Sequence, residues 1–108
     1  MVSPERSRRM AELLARPLEP GFRELPGAQV KGYFGAGLPS GARLWSKAGQ
    51  TNWTGDPDAS YRRHDAAYVE LPGGASFILA AFTQGEAISA NLDFLPDLAA
   101  RACGLMAV

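Results

Sequence analysis

The chain has 108 residues, enough for one domain with a modest core. Hydrophobic residues make up 46% and charged residues 20%, the balance of a folded globular chain rather than a disordered one. Basic and acidic side chains, 11 of each, cancel, and the one basic cluster, Arg6, Arg8 and Arg9, reads as a solvated helix face. No basic stripe offers itself to nucleic-acid phosphates, so no nucleic-acid partner is expected. Cys103 is the single cysteine, which excludes a disulfide framework and a thiolate metal cage. Its neighbours Ala102, Gly104 and Leu105 suit a buried, inert thiol. His64 is the single histidine and no carboxylate cluster accompanies it, so neither a metal nor another cofactor is expected. The N-terminal arginines precede no apolar run, so neither a signal peptide nor a membrane span is read there.

Residues 1–19 read as a helix. Ser3 caps it, Pro4 suits its first position and Glu5 suits the positive end of its dipole. Met10, Leu13 and Leu14 then form an apolar stripe facing a core, and Pro17 and Pro20 close the helix. Residues 20–41 are a loop, punctuated by Pro20, Gly21, Pro26, Gly27, Gly32, Gly35, Gly37, Pro39 and Gly41. Within it, Gln29 to Phe34 is the stretch able to extend.

Residues 42–92 hold a strand and a hairpin. The strand runs from about Ala42 to Gln50, with Trp45 read as core. A loop from Thr51 to Arg63 follows, with Gly55, Asp56, Pro57 and Asp58 as its turn chemistry. Its Asn52-Trp53-Thr54 matches a glycosylation acceptor, to which little weight attaches without a secretion signal. The hairpin pairs Asp65–Leu71 with Ala75–Thr83 across Pro72-Gly73-Gly74. His64 and Asp65, adjacent on a strand, point to opposite faces and read as hairpin-entry residues. In the second hairpin strand Phe77, Leu79 and Ala81 line one face, and Ile78, Ala80 and Phe82 the other. That two-sided pattern predicts a central strand covered on both sides.

Residues 93–108 form the last helix. Asp93 is its cap, Pro96 lies in its first turn, and Leu95, Leu98, Ala99, Ala102, Leu105 and Met106 form its apolar stripe. The expected fold is α+β: an antiparallel three-stranded sheet with the N- and C-terminal helices packed on one face, a single partial domain over 1–108. Two helices cover one face only. Burying a large apolar side chain contributes about 1.5–3 kcal/mol, so something outside the chain is expected to cover Ile78, Phe82 and their neighbours.

This order and several local strings resemble the C-terminal part of the class A β-lactamase and penicillin-binding-protein fold, a family of bacterial serine hydrolases. The Lys-Thr-Gly type triplet of that family reads Lys47-Ala48-Gly49 here, inside Leu44-Trp45-Ser46-Lys47-Ala48-Gly49-Gln50-Thr51. The family's strand, Pro-Gly turn and apolar strand ending in Thr read Arg63 to Gly74 and Phe77 to Thr83. The likeness covers nearly all of this chain and about the last third of a family member.

The resemblance implies acyl transfer to a serine in a Ser-x-x-Lys motif, with a small-molecule β-lactam-like or peptide substrate, or a related amide or ester, as the partner of the complete enzyme. It makes Lys47 the electrostatic anchor for a substrate carboxylate and Gly49 the position of close substrate approach. The Gln50 backbone N–H becomes an oxyanion donor. Ala48 stands where the family has a hydroxyl residue. No serine of the chain is followed three residues on by lysine, and neither a Ser-Asp-Asn triplet nor a glutamate-bearing deacylation loop is present. The chain therefore reads as the C-terminal part of such a hydrolase, without a catalytic nucleophile and inactive alone. Its expected partner is a missing N-terminal catalytic lobe. The alternative is a non-catalytic α+β module that homodimerises through its open sheet face. The family works in the periplasm or outside the cell, but this chain carries no export signal, which leaves its localisation open.

Overall fold

A computed structural model describes residues 2–19, 21 and 25–107 of the chain. Pro20, expected to help close the first helix, lies outside the described residues, as do Met1 and Val108 at the outer bounds of the two terminal helices.

Helix α1 spans Pro4–Leu14, and Ser3 Oγ accepts the Arg6 N–H at 3.2 Å, so the cap forms as expected. The stripe does not do what the spacing predicts: α1 buries no residue, and Met10, Leu13 and Leu14 remain at the surface. The reason is the next element. Without any linker the chain enters strand β1, Ala15–Arg16, which pairs antiparallel with the following strand. That pairing pins the helix at the sheet margin. A cleft of about 470 Å³, lined in part by Ala11, Ala15, Ala42 and Leu44, separates α1 from the sheet.

The sheet has four antiparallel strands in the order β1-β2-β3-β4, with β2 Arg43–Thr51, β3 Arg62–Glu70 and β4 Ser76–Phe82. The fourth strand, β1, is only 2 residues long and too short to carry a period-two signal. The apolar run of β4 is an edge strand, not the central strand its pattern predicts. The hairpin between β3 and β4 closes as expected, with Gly74 at φ 100° and the Leu71 N–H donating to the Ala75 carbonyl at 2.8 Å.

One face of the sheet is covered. Leu44, Ala67, Val69 and Leu71 pack there against Phe34, Leu38, Leu95, Ala99 and Cys103. Leu95, Ala99 and Cys103 come from α3, Phe94–Met106, whereas Leu105 and Met106 of the expected stripe are exposed. Asp93 occupies the cap position but its side chain makes no cap hydrogen bond; a short helix α2, Glu86–Ser89, precedes it. Phe34 and Leu38 belong to the Gly- and Pro-rich stretch, which is irregular as expected yet contributes to the core. Gln29 to Phe34 is not extended: Gln29 sits at φ 55°, and Lys31 and Gly32 turn the chain.

The closest approach in this core is backbone on backbone. A Cβ on Gly37 would run into the Pro96 carbonyl at the start of α3. Gly37→Ala is therefore expected to destabilise the fold by about 1–3 kcal/mol or more, because backbone must move to admit one methyl group. Chemical denaturation checks this; an unchanged midpoint would show that the turn and α3 separate freely.

Candidate functional site

Strand alternation divides the resembling strand between two faces. Register pairs Trp45 with Tyr68, Lys47 with Ala66 and Gly49 with His64, and β3 carries these rows on to Ile78, Ala80 and Phe82. All nine share the face opposite the core. On it Ile78 is 79% exposed and Phe82 78%, so among the described residues nothing covers them. The uncovered face expected from the sequence is present, and Lys47 and Gly49 lie on it. Trp45, read as core, lies on this face as well. Its ring centroid is 5.5 Å from that of Tyr68, and the Arg43 guanidinium stands over it at 4.9 Å. His64 sits edge-on to Phe82 at 5.1 Å, and its Nδ1 accepts the Thr83 N–H at 3.0 Å.

Ala48 and Gln50 point the other way, and the same alternation sends their backbone groups to the outer edge of β2. That edge is met by side chains. The Ser46 carbonyl accepts Arg16 Nε at 3.0 Å and Nη2 at 2.6 Å. The Ala48 N–H donates to Gln29 Oε1 at 2.9 Å, and Lys47 Nζ turns back onto the Ala48 carbonyl. Gln50 lies farther along, beside a cavity of about 250 Å³ lined by Gln29, Lys31, Tyr33, Arg63 and Leu92 among others. A Cβ on Gly49 would meet no atom within 4 Å, so its backbone is open to approach.

His64 and Asp65 do point to opposite faces, but Asp65 is more than a hairpin-entry residue. It is 1% exposed, and its Oδ2 accepts the Phe34 N–H at 3.0 Å, tying the irregular stretch to the sheet. Its Oδ1 and the Ser46 Oγ are buried with no partner among the described residues. Burial raises its pKa to about 6, against the pull of the Phe34 and Ala66 amides and of Arg16 and Lys47. Arg63 is buried on the same face, donating Nε to the Ser89 carbonyl at 2.7 Å and Nη1 to Gly32 at 3.3 Å. Its guanidinium also lies 5.0 Å from the Tyr33 ring centroid. The signal for both was in the sequence: Arg63 and Asp65 continue the alternation of Ala67, Val69 and Leu71 into the core.

Among the described residues no group of three or more His, Cys, Asp or Glu side chains could hold a metal ion. Among them, too, no helix is long and apolar enough to cross a membrane.

The Asp65 carboxyl has a consequence for stability. Its folded pKa of about 6 lies above the ordinary value of 3.8, so the folded state binds its proton more tightly than the unfolded one. That contribution is fully present below about pH 3.8 and is lost as pH rises through about 6. Asp65→Asn, which keeps an acceptor for the Phe34 N–H, should flatten the stability profile across this window. Denaturant titrations at several pH values check it; an equally sloped profile in the variant would assign the slope to other groups.

Compared with known proteins, the chain matches the family described as the beta-lactamase enzyme family over residues 1–103. No curated protein matches it.

Proposed function

The chain belongs to the beta-lactamase enzyme family, and on that basis we propose that it forms the sheet wall of an acyl-transfer site. The observation that carries this reading is the uncovered face, which Lys47 and Gly49 on β2 share, across β3, with exposed Ile78 and Phe82 on β4. A covering segment outside these 108 residues supplies the serine nucleophile there. Lys47 presents its ammonium to the substrate carboxylate, Gly49 admits the substrate to the strand, and the Gln50 N–H stabilises the developing oxyanion.

The reaction is the family's acyl transfer, as in β-lactamases and penicillin-binding proteins. The serine oxygen bonds the carbonyl carbon, the C–N or C–O bond breaks, and the proton passes to the leaving atom. Water then releases the acid and restores the serine. The hydroxyl missing at Ala48 is not replaced by its neighbours. Ser46 Oγ is buried on the core side, and Thr51 Oγ1 donates to the Ala59 carbonyl at 2.8 Å. Lys47 therefore carries recognition of the substrate carboxylate without a neighbouring hydroxyl.

The isolated chain is expected to leave the chromogenic cephalosporin nitrocefin intact and to take no covalent label from a fluorescent penicillin. Joined by a Ser-x-x-Lys-bearing segment encoded in the same reading frame or a neighbouring one, it should turn nitrocefin over. Lys47→Ala should then lower kcat/KM by about 10²–10³, the loss typical of a preorganised electrostatic contact. Turnover by the isolated chain would sink the claim that the nucleophile comes from elsewhere.

The exposure of Ile78 and Phe82 also favours a second reading, in which another copy of the chain covers the face. Light scattering separates the two: a tight dimer that no Ser-x-x-Lys segment displaces supports the non-catalytic module.

A further inference from the structure

The outer edge of β2 loses its neighbouring strand just where the resembling triplet begins. Strand β1 pairs with Leu44 and Trp45 and then ends. Among the described residues, the backbone groups that Ser46, Ala48 and Gln50 turn outward therefore find no ladder partner. The same stretch carries Gly49, which weakens a strand because it has the most conformational freedom to lose and no side chain to pack. This part of β2 is fastened by a strand on its inner side alone, from β3.

Gln29 supplies the outer fastening. Its Oε1 accepts the Ala48 N–H at 2.9 Å, across 19 residues of sequence. The backbone holds Gln29 for this contact at φ 55°, a left-handed conformation that residues other than glycine seldom adopt. Its surroundings fix it there. Ala28 and Val30 on either side are buried, the Ala28 N–H donates to the Leu25 carbonyl at 3.0 Å, and the Tyr33 N–H to the Val30 carbonyl at 3.1 Å. Strained positions persist where the structure around them over-determines them, and they gather at functional sites. Glycine would adopt this φ freely, so the turn itself does not call for glutamine; the contact with Ala48 does.

The place of the contact gives it a role. Ala48 carries the last outward N–H before that of Gln50, which follows two residues or about 7 Å along the strand. Gln29 and Gln50 also line one cavity of about 250 Å³ beside this edge. A hydrogen-bond donor stabilises a developing oxyanion only when it is held in place before the charge appears. We infer that Gln29 is a positioning residue of the acyl-transfer site, holding the Ala48 end of the strand so that the Gln50 N–H stays aimed. This inference rests on the acyl-transfer reading above.

The test reads the contact and the reaction separately. Gln29→Gly removes the acceptor and suits the left-handed φ, so the turn is kept. In the isolated chain it should speed hydrogen exchange of the Ala48 N–H about tenfold, the scale of one hydrogen bond. Gln29→Met, of similar length but without a carbonyl, should do the same, and Gln29→Glu, which keeps an acceptor, should restore protection. An Ala48 N–H that stays protected in the glycine and methionine variants overturns the inference and leaves the acyl-transfer reading standing. In the enzyme assembled with its Ser-x-x-Lys segment, Gln29→Gly should lower kcat for nitrocefin about ten- to a hundredfold and leave KM within about twofold. Gln29→Glu should recover most of that loss. Unchanged kcat, or a loss confined to KM, overturns the positioning role alone. An assembled wild-type enzyme that leaves nitrocefin intact overturns the acyl-transfer reading and this inference with it.

Discussion

The alternation of side chains along β2, β3 and β4 is the constraint on which the rest of this structure depends. Register places Leu44, Val69 and Phe77 in one row, Ser46, Ala67 and Leu79 in the next, then Ala48, Asp65 and Ala81, all on the core side. The interleaved rows all go to the other side. A slip of one residue would exchange the two sets completely, so the core that fixes Val69 and Leu44 also fixes where Lys47 points. Lys47 and Gly49 thus share a surface with Ile78 and Phe82 by necessity. On the proposed reading, a segment broad enough to span β4 to β2 would bury the apolar pair and meet the lysine together.

The polar groups on the core side do a different job. Asp65 holds the Phe34 amide, and Arg63 reaches the carbonyls of Gly32 and Ser89. Between them they fasten the irregular stretch and the segment around α2 to the same strand. Placing charge in a core is unfavourable unless it is hydrogen-bonded. Arg63 satisfies that condition through two backbone carbonyls, whereas Asp65 leaves one oxygen without a partner among the described residues, and its burial makes it hold its proton more tightly. The order of residues 25–42 therefore depends on side chains of β3 rather than on a pairing ladder of its own.

The regular part of this fold was legible in the sequence because periodicity states it directly. The hairpin, its Pro-Gly-Gly turn, the capped first helix and the exposed row of Ile78 and Phe82 all follow from residue spacing. Three features were not legible. Strand β1 is two residues long and exists through its partner, so no local pattern announces it. Met10, Leu13 and Leu14 have helical spacing, but spacing cannot say whether a helix will be held at a sheet margin, as β1 holds α1. The core role of Phe34 and Leu38 is set by contacts with α3 far along the chain, in a stretch whose glycines and prolines signal only irregularity. At the candidate site the strand was readable but its orientation was not, since Trp45, read as core, shares the uncovered face with Lys47. The engagement of the strand edge by Arg16 and Gln29 was not, because it is made across long sequence distances.

The edge position of β4 has a colloidal consequence. Its 7 residues, Ser76 to Phe82, contain no charge and no proline, the devices by which edge strands usually repel their own kind. Each chain in solution thus offers an unguarded template to every other, and encounters rise with the square of concentration. How long a preparation stays clear is then governed by how densely it is held. Dilute storage and a charged additive that wets this edge become conditions of handling rather than conveniences.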